Sequence, residues 1–200
     1  IKKNISHILV SSVLSEQDQF IKGLQANSEI KFLSYKTPVP LTVLYSTPET
    51  LGMDRLAAAV GAAAIFPQRN LLIIDVGTCI KYDVVNQHGM YLGGAISPGI
   101  HMRLKELNEF TGKLPLIEAE SQADLIGDST KTAILSGILN AAVFEIEGFI
   151  AEHRRRFQSL KVLLTGGDSI FFDKKLKNSI FAVPDLVLKG LNEIIDFNVK

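Results

Sequence analysis

An α/β fold with mixed sheets is the class this sequence predicts, and three stretches carry the prediction. Residues 70–96 read as strand, turn, strand, turn and strand. Two helical segments follow, the second placing Ile134, Leu135, Ile138, Leu139, Val143, Ile146 and Ile150 at helical spacing. Strand and helix then alternate to the end: a strand at 161–165, a short helix, a strand at 180–183 and a closing helix from Pro184.

Taken in order, His7-Ile8-Leu9-Val10-Ser11-Ser12 predicts a short buried strand with a β-branched core and small polar residues at its end. Residues 16–25 predict a helix capped by Ser15. Short strands are expected at 30–33 and 42–45, separated by Pro38 and Pro40. Residues 56–66 are almost wholly Ala, Leu, Val and Ile, the composition of a helix buried on most sides, and Pro67 ends it. The apolar run 70–76 suits a strand covered on both faces. Gly77-Thr78 turns the chain into a strand at 79–86, and Gln87-His88-Gly89 turns it into another at 90–96. Helices are expected at 100–110 and 129–156. No linker, low-complexity segment or solenoid repeat interrupts this order.

The bulk composition excludes several functions. The 200 residues are 46% hydrophobic, enough for a core, and 21 basic residues balance 21 acidic ones. That balance asks for no nucleic acid and no anionic membrane surface. The basic run His153-Arg154-Arg155-Arg156 closes an amphipathic helix, where positive charge suits the helix dipole. A single cysteine, Cys79, rules out an intrachain disulfide or a Cys-rich metal site. No unbroken apolar run reaches the roughly 18 residues of a membrane span. The opening Ile1-Lys2-Lys3-Asn4 carries no signal-peptide pattern, so a cytoplasmic protein is expected.

Four motifs carry chemistry, each beside a plainer alternative. Asp75-Val76-Gly77-Thr78 ends a buried strand, placing a carboxylate at the sheet mouth where ligands of open α/β sheets bind. Gly77 lets backbone N–H groups approach a phosphate, and Thr78 adds a hydroxyl; the alternative is a simple hairpin turn. Gly52-Met53-Asp54-Arg55 opens a buried helix. There Asp54 can accept a proton from a substrate hydroxyl and Arg55 can grip an anion in a fork, or both can be solvated first-turn residues. Gly93-Gly94-Ala95-Ile96-Ser97-Pro98-Gly99 is rich in glycine for a strand, which argues for close approach by a ligand or by another backbone. Thr165-Gly166-Gly167-Asp168 lies between a strand and a helix, the setting for a nucleotide contact through backbone amides or for a generic turn.

Taken together and in this order, these motifs resemble the type III pantothenate kinases of the actin-like ATPase superfamily. The matching segments are Leu51-Gly52-Met53-Asp54-Arg55-Leu56-Ala57, Ile74 to Thr78, Tyr91 to Ile100, Thr111-Gly112-Lys113-Leu114-Pro115, Ile126-Gly127-Asp128-Ser129-Thr130 and Thr165 to Asp168. The resemblance runs from about Ser11 to the C-terminus. It implies an actin-like, ribonuclease H-like fold of two similar lobes. Residues 1–70 are then the remainder of an N-terminally incomplete first lobe, and residues 71–200 the C-terminal lobe.

The resemblance also implies ATP-dependent phosphorylation of pantothenate, the first step of coenzyme A biosynthesis. Asp54 is then the catalytic base, with Tyr45, Gly52, Met53, Asp54 and Arg55 as pantothenate contacts. Thr130 becomes a further pantothenate contact, supplied across a homodimer interface. Thr78, Gly77, Gly166 and Gly167 fall to ATP, and Asp75 to a monovalent cation, potassium or ammonium, with Mg2+ accompanying the nucleotide. The dimer is expected on the long helix, whose apolar stripe is widened by Ala133, Ala141, Ala142, Val143 and Phe144.

Three departures stand out. No Asp-x-Gly-Asn-Thr hairpin precedes the strand at His7, from which weak ATP binding and an unpaired strand edge are expected. Cys79-Ile80-Lys81 replaces the family's usual Ala-Thr-Thr, and Ser129-Thr130 replaces Asn-Thr. Two rival readings remain at this point: a related kinase of another hydroxyl compound, and a nucleotide-binding relic without catalysis.

Overall fold

Leu71, Leu72, Ile73 and Ile74 are all fully buried, which a strand allows only when both faces of its sheet are covered. This strand is the centre of the computed structural model, which describes residues 5–11, 29–173, 175–176 and 180–199. The helix expected at 16–25 lies outside the described residues.

The strands are β1 His7–Val10, β2 Glu29–Phe32, β3 Thr42–Val43, β4 Leu71–Val76, β5 Cys79–Val85, β6 Met90–Pro98, β7 Lys161–Thr165 and β8 Phe181–Ala182. The helices are α1 Met53–Ile65, α2 Ile100–Glu109, α3 Thr130–Arg156, α4 Ser169–Asp173 and α5 Leu186–Val199. β1 and β2 pair in parallel as a two-stranded sheet. The other six strands form one mixed sheet in the order β3-β6-β5-β4-β7-β8. β4, β5 and β6 are the expected antiparallel meander, and β7 joins β4 in parallel. A meander extended by parallel strands on the β4 side is the sheet of a ribonuclease H-like lobe, the predicted class.

Alternation along the strands sorts the core into two layers. Leu72, Ile74, Val76, Ile80, Tyr82 and Val84 pack against Leu135, Ile138, Leu139, Ala142 and Ile146 of α3. Leu71, Ile73, Val85, Tyr91 and Leu163 pack on the other face, against Leu56, Ala58, Ala59 and Ala62 of α1 and Leu186 of α5. α1 and α5 cross closely because a Cβ on Gly190 would stand 1.7 Å from the carbonyl oxygen of Ala57. A third cluster of Leu33, Ala57, Val60 and Ile194, with Leu9 packed on it, fastens the small sheet to the same two helices. Residues 42–66, assigned from the sequence to the N-terminal lobe, are therefore built onto the six-stranded sheet: β3 pairs with β6 and α1 covers one face.

α3 corrects one reading. Its 27 residues include a window apolar enough, by length and composition, to cross a membrane. Counting unbroken apolar runs missed this, because polar residues interrupt the stretch. Its buried residues form the stripe packed on the sheet, so the apolarity serves the core. Ser129 caps the helix: its hydroxyl accepts from the N–H of Thr132, whose side chain returns the bond.

Glu145 joins α3 to the sheet. Its carboxylate accepts from the hydroxyls of Tyr82 and Ser97 and from the guanidinium of Arg103. Burial raises its pKa, but these donors outweigh burial and hold it below the ordinary 4.5. A depressed folded pKa contributes stability above the unfolded value, and that stability is lost as pH falls through the folded value. The thermal midpoint of Glu145→Gln is therefore expected to fall less steeply than that of the parent protein between about pH 5 and pH 3. Parallel curves over that range would remove Glu145 from the acid sensitivity.

Candidate active site

The site grows out of the alternation on β4 and β5. Ile80, Tyr82 and Val84 face α3, which turns Lys81 and Asp83 toward α1. Asp75 on β4 lies directly opposite Lys81 in the antiparallel register, so the two side chains share a face. α1 begins above them, with Gly52 in extended conformation as its N-cap and Asp54 and Arg55 in its first turn.

Two ion pairs stitch that turn to β5. Lys81 Nζ donates to Asp54 Oδ2 at 2.7 Å and stands 2.6 Å from Asp75 Oδ2. One ammonium thus bridges the candidate base and the carboxylate at the sheet mouth. Two residues along β5, the guanidinium of Arg55 forks onto Asp83, with Nε 3.1 Å and Nη2 2.7 Å from Oδ1. The hydroxyl of Tyr91 donates to the same oxygen at 2.6 Å. Arg55 and Asp83 are 5% and 1% exposed, whereas the Asp54 side chain is 44% exposed. The buried pair anchors the turn, and the exposed carboxylate is presented to solvent.

The electrostatics follow from this division. Burial works against the charge on Asp54, but the hydrogen bond and charge of Lys81, with the N–H groups of Arg55 and Asp54, outweigh it and hold the carboxyl below its usual range. Burial likewise opposes the charge on Lys81, and Asp54 and Asp75 outweigh it, so its pKa rises. Asp54 is an ionised acceptor at neutral pH, as a general base must be.

Tyr45 completes this edge. Its ring lies 5.7 Å from the Arg55 guanidinium carbon and 6.2 Å from the ring of Tyr91. Tyr45, Gly52, Met53, Asp54 and Arg55 are therefore brought together as the sequence expects. Arg55, expected as a free anion fork, spends Nε and Nη2 on Asp83.

The nucleotide-type motifs also converge. The N–H of Asp168 donates to the carbonyl of Val76, and that of Gly99 donates to Thr78. The loops at 75–78, 97–99 and 165–168 are thus locked together at the carboxyl ends of β4 and β7, the mouth of the sheet. Gly166 has φ +96, and a Cβ there would stand 2.4 Å from Asp75 Oδ1, so only glycine fits. Thr78 and Gly167 are exposed at the same rim, while Gly77 and Gly166 are half-buried. Gly94 has the plainer explanation: a Cβ there would fall 1.6 Å from the carbonyl oxygen of Tyr82, so backbone packing requires it.

Thr130 stands apart. It opens α3 on the other face of the sheet, lining an open groove with Arg103, Leu107, Leu114, Ile134 and Ile138. Among the described residues, no three His, Cys, Asp or Glu side chains converge on a point that could hold a metal ion.

Two residues of the site were missed by motif reading. Lys81 was noted only as a departure from a family pattern. Asp83 was passed over, although an acidic residue between Tyr82 and Val84 in a buried strand is a signal, since a buried charge requires a partner.

The family model described as type III pantothenate kinase matches residues 1–152. A type III pantothenate kinase of Cytophaga hutchinsonii is 46% identical over 193 residues, covering 96% of this chain and 81% of the relative. That of Phocaeicola vulgatus is 51% identical over 168 residues, covering 84% and 69%. Among solved structures, a Campylobacter jejuni protein assigned to the Baf family of transcriptional activators superposes with a TM-score of 0.67. At 23% identity, over 98% of this chain and 85% of that one, it shows a shared fold.

Proposed function

This chain belongs to the type III pantothenate kinase family, and from that premise we propose that it transfers the γ-phosphate of ATP to the primary hydroxyl of pantothenate with Asp54 as base. The observation that carries the assignment is the half-exposed, ionised Asp54, fixed by Lys81 beside Asp75 at the sheet mouth. The pantothenate oxygen attacks the γ-phosphorus, the bond from that phosphorus to the leaving ADP oxygen breaks, and the hydroxyl proton passes to the Asp54 carboxylate. A weak base suffices, because in a loose phosphoryl-transfer transition state the alcohol keeps its proton until late.

Tyr45 and the turn Gly52 to Arg55 form the pantothenate edge, with Arg55 acting through Asp83 to keep that turn in place. Gly77, Thr78, Gly166 and Gly167 form the ATP rim, where backbone N–H groups and a hydroxyl can meet phosphate oxygens. Magnesium arrives with the nucleotide. It would keep water and phosphate ligands and need one or two carboxylates at most, of which Asp75, its Oδ2 already paired with Lys81, would offer its other oxygen. When bound, it offsets charge on the phosphates. The monovalent cation implied by the resemblance does not fit beside Asp75, because the Lys81 ammonium holds Oδ2 of that carboxylate. The cytoplasm supplies both substrates.

Incubation with MgATP and a panel of primary alcohols, followed by ADP release and product mass, tests the reading. Pantothenate should be the preferred acceptor. Phosphorylation of another alcohol in its place would sink the assignment.

The homodimer belongs to the same proposal. Ala133, Gly137, Ala141, Phe144 and Gly148 are exposed along one side of α3, and nothing approaches within 4 Å of a Cβ placed on either glycine. Small residues flanking Phe144, itself 61% exposed, suit close packing of a second copy. The resemblance gives Thr130, the first residue of α3, to the pantothenate edge of the second copy in that dimer. Phe144→Glu should therefore convert a dimer into a monomer at micromolar concentration by light scattering. A parent protein that is already monomeric refutes the dimer.

A further inference from the structure

We propose that Lys81 is the resident cation of this site: its ammonium stands where a monovalent ion would bind at Asp75 and positions Asp54, so turnover needs no added potassium or ammonium. The turnover arm of this inference rests on the kinase reading above.

The placement is dictated by the fold. Asp75 and Lys81 are direct cross-strand partners, and both side chains point to the α1 face. From there Nζ lies 2.6 Å from Asp75 Oδ2 and 2.7 Å from Asp54 Oδ2, and the side chain is only 17% exposed. An ammonium is a compact point charge with several donors, so it reproduces the charge and hydrogen bonding of a small monovalent cation. Because it is covalently tethered, no free ion has to be captured and immobilised. A second monocation at the same carboxylate oxygen would meet a like charge at contact distance.

The bridge is not the turn's sole anchor. The Arg55–Asp83 fork already ties the same helical turn to the same strand, two residues away and fully buried. What Lys81 adds is a fixed positive charge between the base and the mouth of the sheet. That makes it a positioning residue, and the replacement of the family's usual Ala-Thr-Thr by Cys79-Ile80-Lys81 acquires a physical meaning.

The test compares the parent protein with Lys81→Ala in KCl, NH4Cl and tetramethylammonium chloride at equal ionic strength. Both the thermal midpoint and pantothenate turnover are read. The parent protein should show the same midpoint in all three salts and turnover equal within about twofold. Lys81→Ala should lose at least tenfold in tetramethylammonium, recover most of that loss in potassium or ammonium, and show a midpoint raised by the same ions. Lys81→Thr, which retains a polar group, is expected to behave like Lys81→Ala and covers the case in which the alanine variant fails to fold.

A parent protein stimulated tenfold or more by potassium or ammonium overturns the proposal. So does a variant whose loss no small cation restores, because Lys81 would then be a structural ion pair only. The midpoints read cation binding without any turnover. Failure to phosphorylate pantothenate at all would count against the kinase reading, while the midpoints would still decide the role of Lys81.

Discussion

Asp54→Asn should lower pantothenate turnover by roughly 10²–10⁴-fold, the usual range for removing a general base, while leaving the fold intact. The amide has the size of the carboxylate, and its carbonyl oxygen still accepts from Lys81 Nζ, 2.7 Å away in the native site. It cannot take up the proton released as the hydroxyl attacks phosphorus. The helical turn stays in place because its buried anchor is Arg55 on Asp83. A side chain 44% exposed leaves little packing to lose. The loss should therefore fall on kcat, with the KM for ATP nearly unchanged and the thermal midpoint within a few degrees of the parent. Turnover within about fivefold of the parent protein would remove Asp54 from the chemistry and return the base to another group at the mouth.

The largest stability effect is expected at Arg55. Removing one member of a buried ion pair strands the other without solvent, which costs about 3–5 kcal/mol. In a chain of this size each kcal/mol moves the midpoint by about 2–4 °C, so Arg55→Met should lower it by about 6–20 °C. Asp83, 1% exposed, would then keep only the Tyr91 hydroxyl as a neutral donor. Pairing Arg55→Met with Asp83→Leu should restore much of the loss, because an apolar pair leaves no stranded charge. The coupling between the two substitutions is the quantity that decides. If the single variant melts within about 2 °C of the parent, the pair does not anchor the turn.

Much of the architecture was legible along the chain. The buried strand at 71–76 announced itself through the apolar run 71–74, and the turns at Gly77 and Gly89 marked the joints between the strands of the meander. Residues 161–165 were read without error, because β-branched and leucine residues there run directly into Gly166. The long helix was set by its apolar spacing and by Ser129, which caps it. Strands of two residues, such as β3 and β8, were overextended by the sequence reading, since nothing local says where a neighbouring strand stops pairing. The candidate base and the phosphate-side loops were legible as short motifs, because glycine, aspartate and threonine at such turns serve local geometry.

Long-range pairing was not legible. Lys81 is a departure from a pattern until the register of β4 on β5 sets it opposite Asp75 and the docking of α1 brings Asp54 down onto it. Arg55 reads as a substrate fork or as a solvated first-turn residue until Asp83, 28 positions away, is seen to take its guanidinium. The sequence by itself determined the order and type of the main elements, the two-sided burial of the central strand and the short motif that holds the carboxylate proposed as base. These depend on periodicity and on the conformational needs of single residues. Tertiary structure alone decided which charges meet, which of the two adjacent residues Asp54 and Arg55 faces solvent, and which cation sits between the two carboxylates. Those outcomes depend on strand register and helix docking, which bring together groups that no local spacing relates.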